Sequence, residues 1–292
     1  MKSIRENRRA ILLGVFLIFC LTACSETLSI DTDEKQWYGN GSVKFSYPHG
    51  VYSNTIAIEM KSDNGGVIHY SLDGNTPTID SPIYTTPLQI DKTTIIRASE
   101  EVGEAILSNT TTVTYIYPES VVKQPNEIEG YPQTWGPYAT IADTAVADYG
   151  MDPELVVNAF RCQKVIDSFS DLPIVSLVTD ISHLFNKSKD PEEGGIYIYT
   201  GAPRGSGIGR GWERPVSIEL FGGLQHHDLT TTCAIRIHGG HSRIPEKNPK
   251  HSFRLKFKSD YGPSKLQYPV FEGDDKNIEY NSLVLRCFFN NS

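Results

Sequence analysis

The residues with the clearest chemical potential lie between Arg236 and Lys258. This segment carries one acid, Glu246, against seven cations, namely Arg236, Arg243, Lys247, Lys250, Arg254, Lys256 and Lys258. The chain as a whole is acidic, with a formal net charge of -8. Arginine binds oxygen atoms bidentately and lysine supplies a point charge, so such a cluster suits phosphate. The segment therefore predicts an anion site.

Two predicted strands would position these cations. Cys233–His238 alternates apolar residues with Arg236 and His238, and Ser252–Lys258 alternates them with Arg254, Lys256 and Lys258. Successive side chains of a strand point to opposite faces, so each strand has one apolar face and one polar face. As hairpin neighbours, the two strands would join their polar faces into one basic surface.

The loop between these strands adds hydrogen-bond donors. Gly239 and Gly240 allow backbone amides to approach an anion closely, and Ser242 and Arg243 supply side-chain donors. A second interpretation stays open, because cations on the outer face of a strand also keep a sheet soluble and block edge pairing. The composition of the loop favours the anion site.

Metal binding has weaker support. His238, His241 and His251 are a minor zinc candidate, because no nearby carboxylate or thiol completes a ligand set. The cysteines that follow position 24 lack CxxC spacing, and they are Cys162, Cys233 and Cys287. Cys233 and Cys287 each sit in an apolar strand pattern, which predicts core residues; a disulfide between them is the alternative. We expect no metal ligands in this chain.

Length and composition limit the class of protein. The 292 residues allow two modest domains, and 39% hydrophobic with 21% charged residues is typical of a globular protein. The acidic balance argues against nucleic acid as a partner.

The N-terminus differs from the rest of the chain. Four cations precede an apolar run over residues 10–21, which is too short to span a bilayer. The run ends in Leu21-Thr22-Ala23-Cys24, which resembles the bacterial lipoprotein signal, whose cysteine is acylated. We therefore predict a signal peptide over 1–23, lipidation of Cys24, a tether over 24–42 and a membrane-anchored protein of the periplasm or cell surface. A plain secretory signal or an uncleaved anchor is the alternative.

Residues 43–117 predict an antiparallel β-sandwich. The segment has no convincing helix, and its strand candidates are Ile56–Met60, Val67–Ser71, Thr94–Ala98 and Thr111–Tyr115. Asp63–Gly66 and Asp73-Gly74 are typical hairpin signals between these strands. Residues 67–78, Ser81-Pro-Ile-Tyr84 and Pro87-Leu-Gln-Ile90 resemble the Ig-like module named after the C-terminal domain of chitobiases. The segment contains no Trp, so we expect a spacer rather than a glycan-binding module.

Residues 118–150 form a predicted linker, in which Trp135 indicates packing on a domain. In the following domain, 151–292, Asp152 and Pro153 predict a helix start, and the helix continues, with a break, to about Phe169. A short helical turn is expected over Ile181–Phe185. Further predicted strands, mostly antiparallel, are Leu172–Val178, Gly195–Tyr199, Val216–Leu220, Cys233–His238, Ser252–Lys258 and Ser282–Cys287. The sequence stops on an open strand, which predicts a truncated domain.

The second domain resembles the CotH-type spore-coat kinase family. The resemblance lies in the motifs Trp212-Glu-Arg-Pro-Val-Ser-Ile-Glu-Leu220, Arg236-Ile-His-Gly-Gly-x-Ser-Arg243, Pro249-Lys-His-Ser-Phe-Arg-Leu-Lys-Phe257 and Leu283-Val-Leu-Arg286. It implies a divergent α+β kinase-like fold that transfers phosphate from ATP to protein hydroxyls with Mg or Mn. Arg236, Ser242, Arg243, Lys250, Arg254 and Lys256 would then face the nucleotide, with Glu219 as an ion-pair partner of Lys256.

One departure from that family leaves the enzyme question open. Phosphoryl transfer needs carboxylates for the metal, and the family's acids are expected after Leu283–Arg286, where this sequence has almost nothing. Asp274 and Asp275 precede that strand and are interpreted as turn residues. We therefore expect a mainly β chain, an Ig-like sandwich followed by an incomplete CotH-like α+β domain, that does not bind ATP productively. The alternative is a non-enzymatic surface protein that binds glycans or anions, or a structural one.

Overall fold

The computed structural model describes residues 35–135, 145–188, 190–197, 212–223, 228–239, 250–271 and 278–287. The chain divides into two units, Met1–Lys35 and Gln36–Ser292. Of the first unit only Lys35 is described, so the predicted signal peptide and Cys24 lie outside the described residues. All of the architecture below belongs to the second unit.

The first part of the second unit is a small β-sandwich. Its strands are β1 (Val43–Phe45), β2 (Gly50–Val51), β3 (Ile56–Ile58), β4 (Met60–Ser62), β5 (Ile68–Ser71), β6 (Leu88–Ile90), β7 (Thr94–Gly103), β8 (Ile106–Leu107) and β9 (Thr111–Ile116). One sheet has the order β2-β9-β7-β5, with β8 on β7, and β1-β4 and β3-β6 form two antiparallel pairs. Apolar side chains from both layers share one buried core, which includes Phe45, Ile58, Ile96 and Tyr115.

Of the two predicted hairpin signals, Asp73-Gly74 closes an antiparallel contact and Asp63–Gly66 does not. The turn at Asp63–Gly66 joins β4, which pairs with β1, to β5, which pairs with β7. After the turn at Asp73-Gly74 the chain returns along β5, where Ile83 pairs with His69, before it continues to β6, which pairs with β3. The turn at Asp63–Gly66 therefore carries the chain between layers. Gly74 has φ of +84°, a conformation that favours glycine whichever strands the turn connects.

The segment after the sandwich packs on the second domain, as Trp135 predicted. It contains α1 (Pro118–Val121), β10 (Thr134–Trp135) and β11 (Ala145–Val146), and β10 pairs with β11. Trp135 is buried, with ring centroids 5.4 Å from Tyr149 and 5.0 Å from Tyr197. The aromatic side chains therefore attach this segment to residues that follow it in the chain.

The predicted broken helix is confirmed. It consists of α2 (Pro153–Val156) and α3 (Ala159–Asp171). Asp152 caps α2 through a side-chain oxygen that accepts from the Glu154 amide, and Asn158 caps α3 in the same way from Arg161. The second cap explains the break, because an N-cap residue has non-helical backbone angles and starts a new helix.

The second domain contains a five-stranded antiparallel sheet in the order β12-β13-β14-β15-β18. The elements of this part are β12 (Ile174–Val178), α4 (Ile181–Phe185), β13 (Arg214–Phe221), β14 (Leu229–His238), β15 (Ser252–Lys256), β16 (Leu266–Gln267), β17 (Glu279–Tyr280) and β18 (Ser282–Leu285). One face of the sheet is apolar and includes Val216, Ile218, Cys233, Ile235 and Leu255. The other face carries the polar side chains.

Two expectations for this sheet were wrong. Leu172–Val178 is a nearly continuous apolar run, a pattern that predicts a buried strand, but its strand β12 lies at the edge of the sheet and Val175 is 42% exposed. Residues 195–197 of the predicted strand Gly195–Tyr199 are not a strand. The amides of Gly195, Ile196 and Tyr197 instead donate to carbonyls at the end of α4, which lack partners within the helix.

The sandwich lies directly against the sheet of the second domain. In β9, Val113 and Tyr115 face the sandwich core, whereas Thr112 and Thr114 point the other way and contact β12 and β13. The Thr112 hydroxyl donates to Ser217 over 3.0 Å, and Thr114 lies 2.8 Å from the Ser176 hydroxyl. All six residues of β9 are therefore buried, three on each side.

Candidate functional site

The predicted pairing of the two cationic strands is confirmed. β14 and β15 are antiparallel neighbours, in a register that sets Arg236 opposite Arg254 and Ala234 opposite Lys256. The apolar partners of the alternation, including Ile235 and Leu255, fill the core below. We call the surface formed by Arg236, Arg254, Lys256 and Lys258 the cationic face.

A single buried carboxylate organises the cationic face. Glu213 directly precedes β13, and its side chain is 4% exposed. Its Oε1 lies 3.4 Å from Arg236 Nη1 and 3.4 Å from Lys256 Nζ, and its Oε2 accepts from Lys258 Nζ. The three cations are 21%, 32% and 35% exposed, so the carboxylate is enclosed while the cations keep access to solvent.

The pKa values of these groups follow from the cluster. Burial opposes the charge on Glu213, but hydrogen bonds and charges from Lys258 and Lys256 lower its pKa below the ordinary value. The hydrogen bond to Glu213 raises the pKa of Lys258, together with the charges of Glu213 and Asp260. Both ionised forms are therefore stabilised at neutral pH.

Arg254 adds a charge that the cluster does not balance. It lies directly opposite Arg236, and like charges in that position repel. Among the described residues Arg254 has no carboxylate within ion-pair distance, and its Nε is buried without a hydrogen-bond partner. In the described part of the site, Glu213 is thus the one carboxylate within ion-pair distance of any of these four cations, and a bound anion between the two arginines would offset their repulsion.

The predicted ion pair between Lys256 and Glu219 does not form, because the strand register separates the two residues. Lys256 lies level with Ala234 and Pro215, four positions along β13 from Glu219. Glu219 is 1% exposed and contacts the sandwich instead, where its Oε1 lies 3.0 Å from His49 Nδ1 and its Oε2 accepts from Thr114. Glu213 occupies the position that the sequence reasoning assigned to Glu219.

Part of the predicted site cannot be placed. Ser242, Arg243 and His241 lie outside the described residues, as do Asp274 and Asp275. Lys250 is described and exposed at the start of the strand region. Among the described residues no group of three or more His, Cys, Asp or Glu side chains converges in a way that would hold a metal.

The three cysteines within the described ranges, Cys162, Cys233 and Cys287, are free thiols. Cys233 is buried in the core, as predicted, and burial raises its pKa to about 12. Cys287 lies near Ser252, with its Sγ 3.1 Å from the Ser252 hydroxyl, and Cys162 lies on α3. The alternative of a disulfide between Cys233 and Cys287 is therefore not the arrangement observed.

Comparison with known proteins identifies the sandwich. Residues 47–115 match the family model of the chitobiase/beta-hexosaminidase C-terminal domain. This agrees with the resemblance seen in residues 67–90. The match stops before the second domain, so the resemblance of residues 172–292 to CotH-type kinases stays a prediction. No curated protein and no solved structure matches the chain.

Membrane attachment is likewise a prediction. None of the helices in the described ranges is both long enough and apolar enough to cross a bilayer. The predicted lipid site at Cys24 falls in the part of the chain that the structure does not describe.

Proposed function

We propose that the cationic face binds phosphate groups, and that the protein is a lipid-anchored bacterial surface or periplasmic protein that presents this site. The observation that carries the proposal is the enclosure of Glu213 by Arg236, Lys256 and Lys258, with Arg254 unbalanced beside them. A solubilising surface needs no buried carboxylate to align its lysines. Three aligned, partly exposed cations with net positive charge are suited to phosphate oxygens.

The phosphates belong, in this proposal, to ATP. The motifs around Trp212, Arg236 and Lys250 resemble the CotH-type family, in which ATP with Mg or Mn is the phosphate donor. A lysine held by a glutamate is the arrangement that kinases use to orient nucleotide phosphates. The contact between Lys256 and Glu213 supports this interpretation. The proposal concerns binding, and it assigns no catalytic residue.

Calorimetric titration of the whole chain tests this function. ATP, inorganic tripolyphosphate and adenosine are titrated at low salt, with and without Mg²⁺ or Mn²⁺. We expect binding of ATP and tripolyphosphate but not of adenosine alone, because the contacts are made to phosphate. Binding should weaken as salt is added, since the interaction is between partly exposed charges.

Matched lysine variants make the test specific. Lys256→Gln should weaken tripolyphosphate binding roughly tenfold, the effect of one lost charge-assisted hydrogen bond. Lys265→Gln, which removes an exposed lysine paired with Glu279 outside the cationic face, should leave the affinity unchanged. Equal affinities for both variants, or no phosphate binding by the unmodified chain, would overturn the proposal.

A further inference from the structure

A separate polar cavity lies between the sandwich and the second sheet. Its volume is about 550 Å³, within the range of roughly 300–1,000 Å³ that is usual for small-molecule sites. Hydroxyl and amide side chains dominate its walls, from the sandwich (Asn40, Thr76, Asn109) and from the second sheet (Ser217, Thr230, Thr232). A cavity with this lining can form many neutral hydrogen bonds at once.

Asp180 is held rigidly at the wall of the cavity. Its Oδ1 accepts from the Thr76 amide, the Thr76 hydroxyl and Arg97 Nη1, each over 2.7 Å. Arg97 is itself buried and also donates to the Gly74 carbonyl. The other oxygen, Oδ2, has His183 Nε2 as its nearest partner among the described residues, at 4.0 Å. Oδ2 is therefore an oriented acceptor with capacity for another donor.

The hydrogen bonds of His183 determine which of its nitrogens carries the proton. The Thr179 hydroxyl donates its one proton to the Pro215 carbonyl over 2.7 Å. The contact of 2.9 Å between that hydroxyl and His183 Nδ1 must then have Nδ1 as the donor. Burial lowers the pKa of His183, and the charges of Arg214 and Arg97 act in the same direction against that of Asp180. The lowered pKa favours the neutral imidazole at neutral pH, and with the proton on Nδ1 the acceptor is Nε2.

Two acceptors thus converge without a donor between them. Asp180 and His183 both line the cavity, and His183 Nε2 and Asp180 Oδ2, 4.0 Å apart, can each accept a hydrogen bond from an incoming donor. A ligand hydroxyl, or two neighbouring hydroxyls, would supply it. The side chains of Asp180 and His183 are 24% and 27% exposed, so a ligand can reach them.

The charges of the cavity select against anions. Asp180 and Asp260 line it, and Arg97, the guanidinium among its described lining residues, is already paired with Asp180. The cavity is therefore slightly acidic, whereas the cationic face is strongly basic. The two sites require ligands of different chemistry, and a phosphate that binds the cationic face would be repelled here.

We propose that this cavity binds a neutral hexose unit, either free or at the end of an oligosaccharide, with Asp180 and His183 as acceptors for its hydroxyls. The threonine and serine hydroxyls of the two walls would bind the remaining oxygens. Thr179 acts as a positioning residue, because it fixes the tautomer of His183. Since the walls come from both domains, a bound sugar would also hold them together. The inference does not rest on phosphate binding.

Saturation-transfer NMR with the whole chain tests this site. The probes are glucose, N-acetylglucosamine and cellobiose, with glucuronate as an anionic counterpart and glycerol as a small polyol. We expect saturation transfer to at least one neutral sugar, with affinity at least several-fold above that for glucuronate or glycerol. The free hexoses and the disaccharide distinguish a single-unit site from an end-of-chain site. Uniform weak signals from all five probes, or none, would overturn the proposal.

Variants locate the binding in the cavity. His183→Ala should lower the affinity for the tightest-binding neutral sugar roughly tenfold. Thr179→Val, which keeps the shape of the side chain, should lower that affinity several-fold. The ¹⁵N shifts of His183 report the tautomer, which should change in Thr179→Val and in no variant of the cationic face. Thr78→Val, an exposed threonine outside the cavity, is the matched control. Retained affinity in both cavity variants, with folding verified by circular dichroism, would contradict the assignment.

Discussion

Glu213 and Glu219 lie on the same face of one strand region and have opposite surroundings. Glu213, just before β13, is enclosed by cations whose outer surfaces meet solvent. Glu219, near the end of β13, is covered by the sandwich through His49 and Thr114. The same residue type therefore organises an open ligand surface at one end of the sheet and a closed domain contact at the other.

The comparison shows that burial by itself does not mark a functional carboxylate. Both side chains are almost inaccessible, and both have charged partners. The difference lies in the partners, because those of Glu213 are half-exposed and outnumber it, whereas the main partner of Glu219 is a single enclosed imidazole. An excess of accessible charge around a buried acid is the feature that indicates a ligand.

The largest expected effect is on the free energy of unfolding, at the Glu219 end of β13, which the sandwich covers. Glu219→Ala leaves the enclosed His49 imidazole and the Thr114 hydroxyl without their shared hydrogen-bond partner, which should lower the free energy of unfolding by about 3 kcal/mol. Glu213→Ala should lower it by only about 1 kcal/mol, because water can solvate the half-exposed cations. Urea unfolding monitored by tryptophan fluorescence measures both. An equal or greater loss in Glu213→Ala would remove the distinction between the two ends.

A smaller effect should depend on pH. Burial opposes the charge on His49, but its hydrogen bond to Glu219 and the charges of Glu219 and Asp228 raise its pKa above 6.5. A raised pKa in the folded state stabilises the fold below the unfolded value, and this contribution is lost as the pH rises through the folded value. The free energy of unfolding should therefore fall as the pH rises from below 6.5 through the folded-state pKa of His49.

The variant His49→Gln identifies the source of that dependence. It removes the titrating group and keeps a polar side chain at the domain contact. The decline in stability over this pH range should shrink in His49→Gln relative to the unmodified chain. An unchanged pH profile would assign the dependence to other groups.

The smallest expected effect is a gain in tripolyphosphate affinity at the Glu213 end of β13, where the cationic face meets solvent. Glu213→Gln removes the one negative charge at the centre of the cationic face while keeping the shape of the side chain. Tripolyphosphate should then bind about threefold more tightly, because Lys256 and Lys258 no longer share their charge with a carboxylate. The calorimetric titration described above measures the change. A loss of affinity would mean that Glu213 serves mainly to orient the lysines.

Much of the fold follows from local patterns in the sequence. The alternation in Ser252–Lys258 and the capping residues Asp152 and Asn158 each specify their own element, because the relevant contacts lie within a few residues. The cationic face was predictable for the same reason, since a strand has only two faces. The turn signals predict where the chain reverses but not the pairing of the next strand, because a turn does not determine which sheet that strand joins.

The partners of the two acids could not be predicted from the sequence. Glu213 and Glu219 share a face, so alternation cannot choose between them, and only the register of β13 against β14 sets Glu213 level with Arg236. The contact between His49 and Glu219 joins residues 170 positions apart. The cavity at Asp180 has the same origin, because it exists only where the two domains meet.

The central claim is that the cationic face, and not the domain contact at the far end of the same strand, binds phosphate. The most direct measurement is the tripolyphosphate affinity of the double variant Arg254→Gln/Lys256→Gln beside that of His49→Gln. We predict a loss of about a hundredfold in the double variant and no change in His49→Gln. An unchanged affinity in the double variant, or an equal loss in both, would contradict the claim.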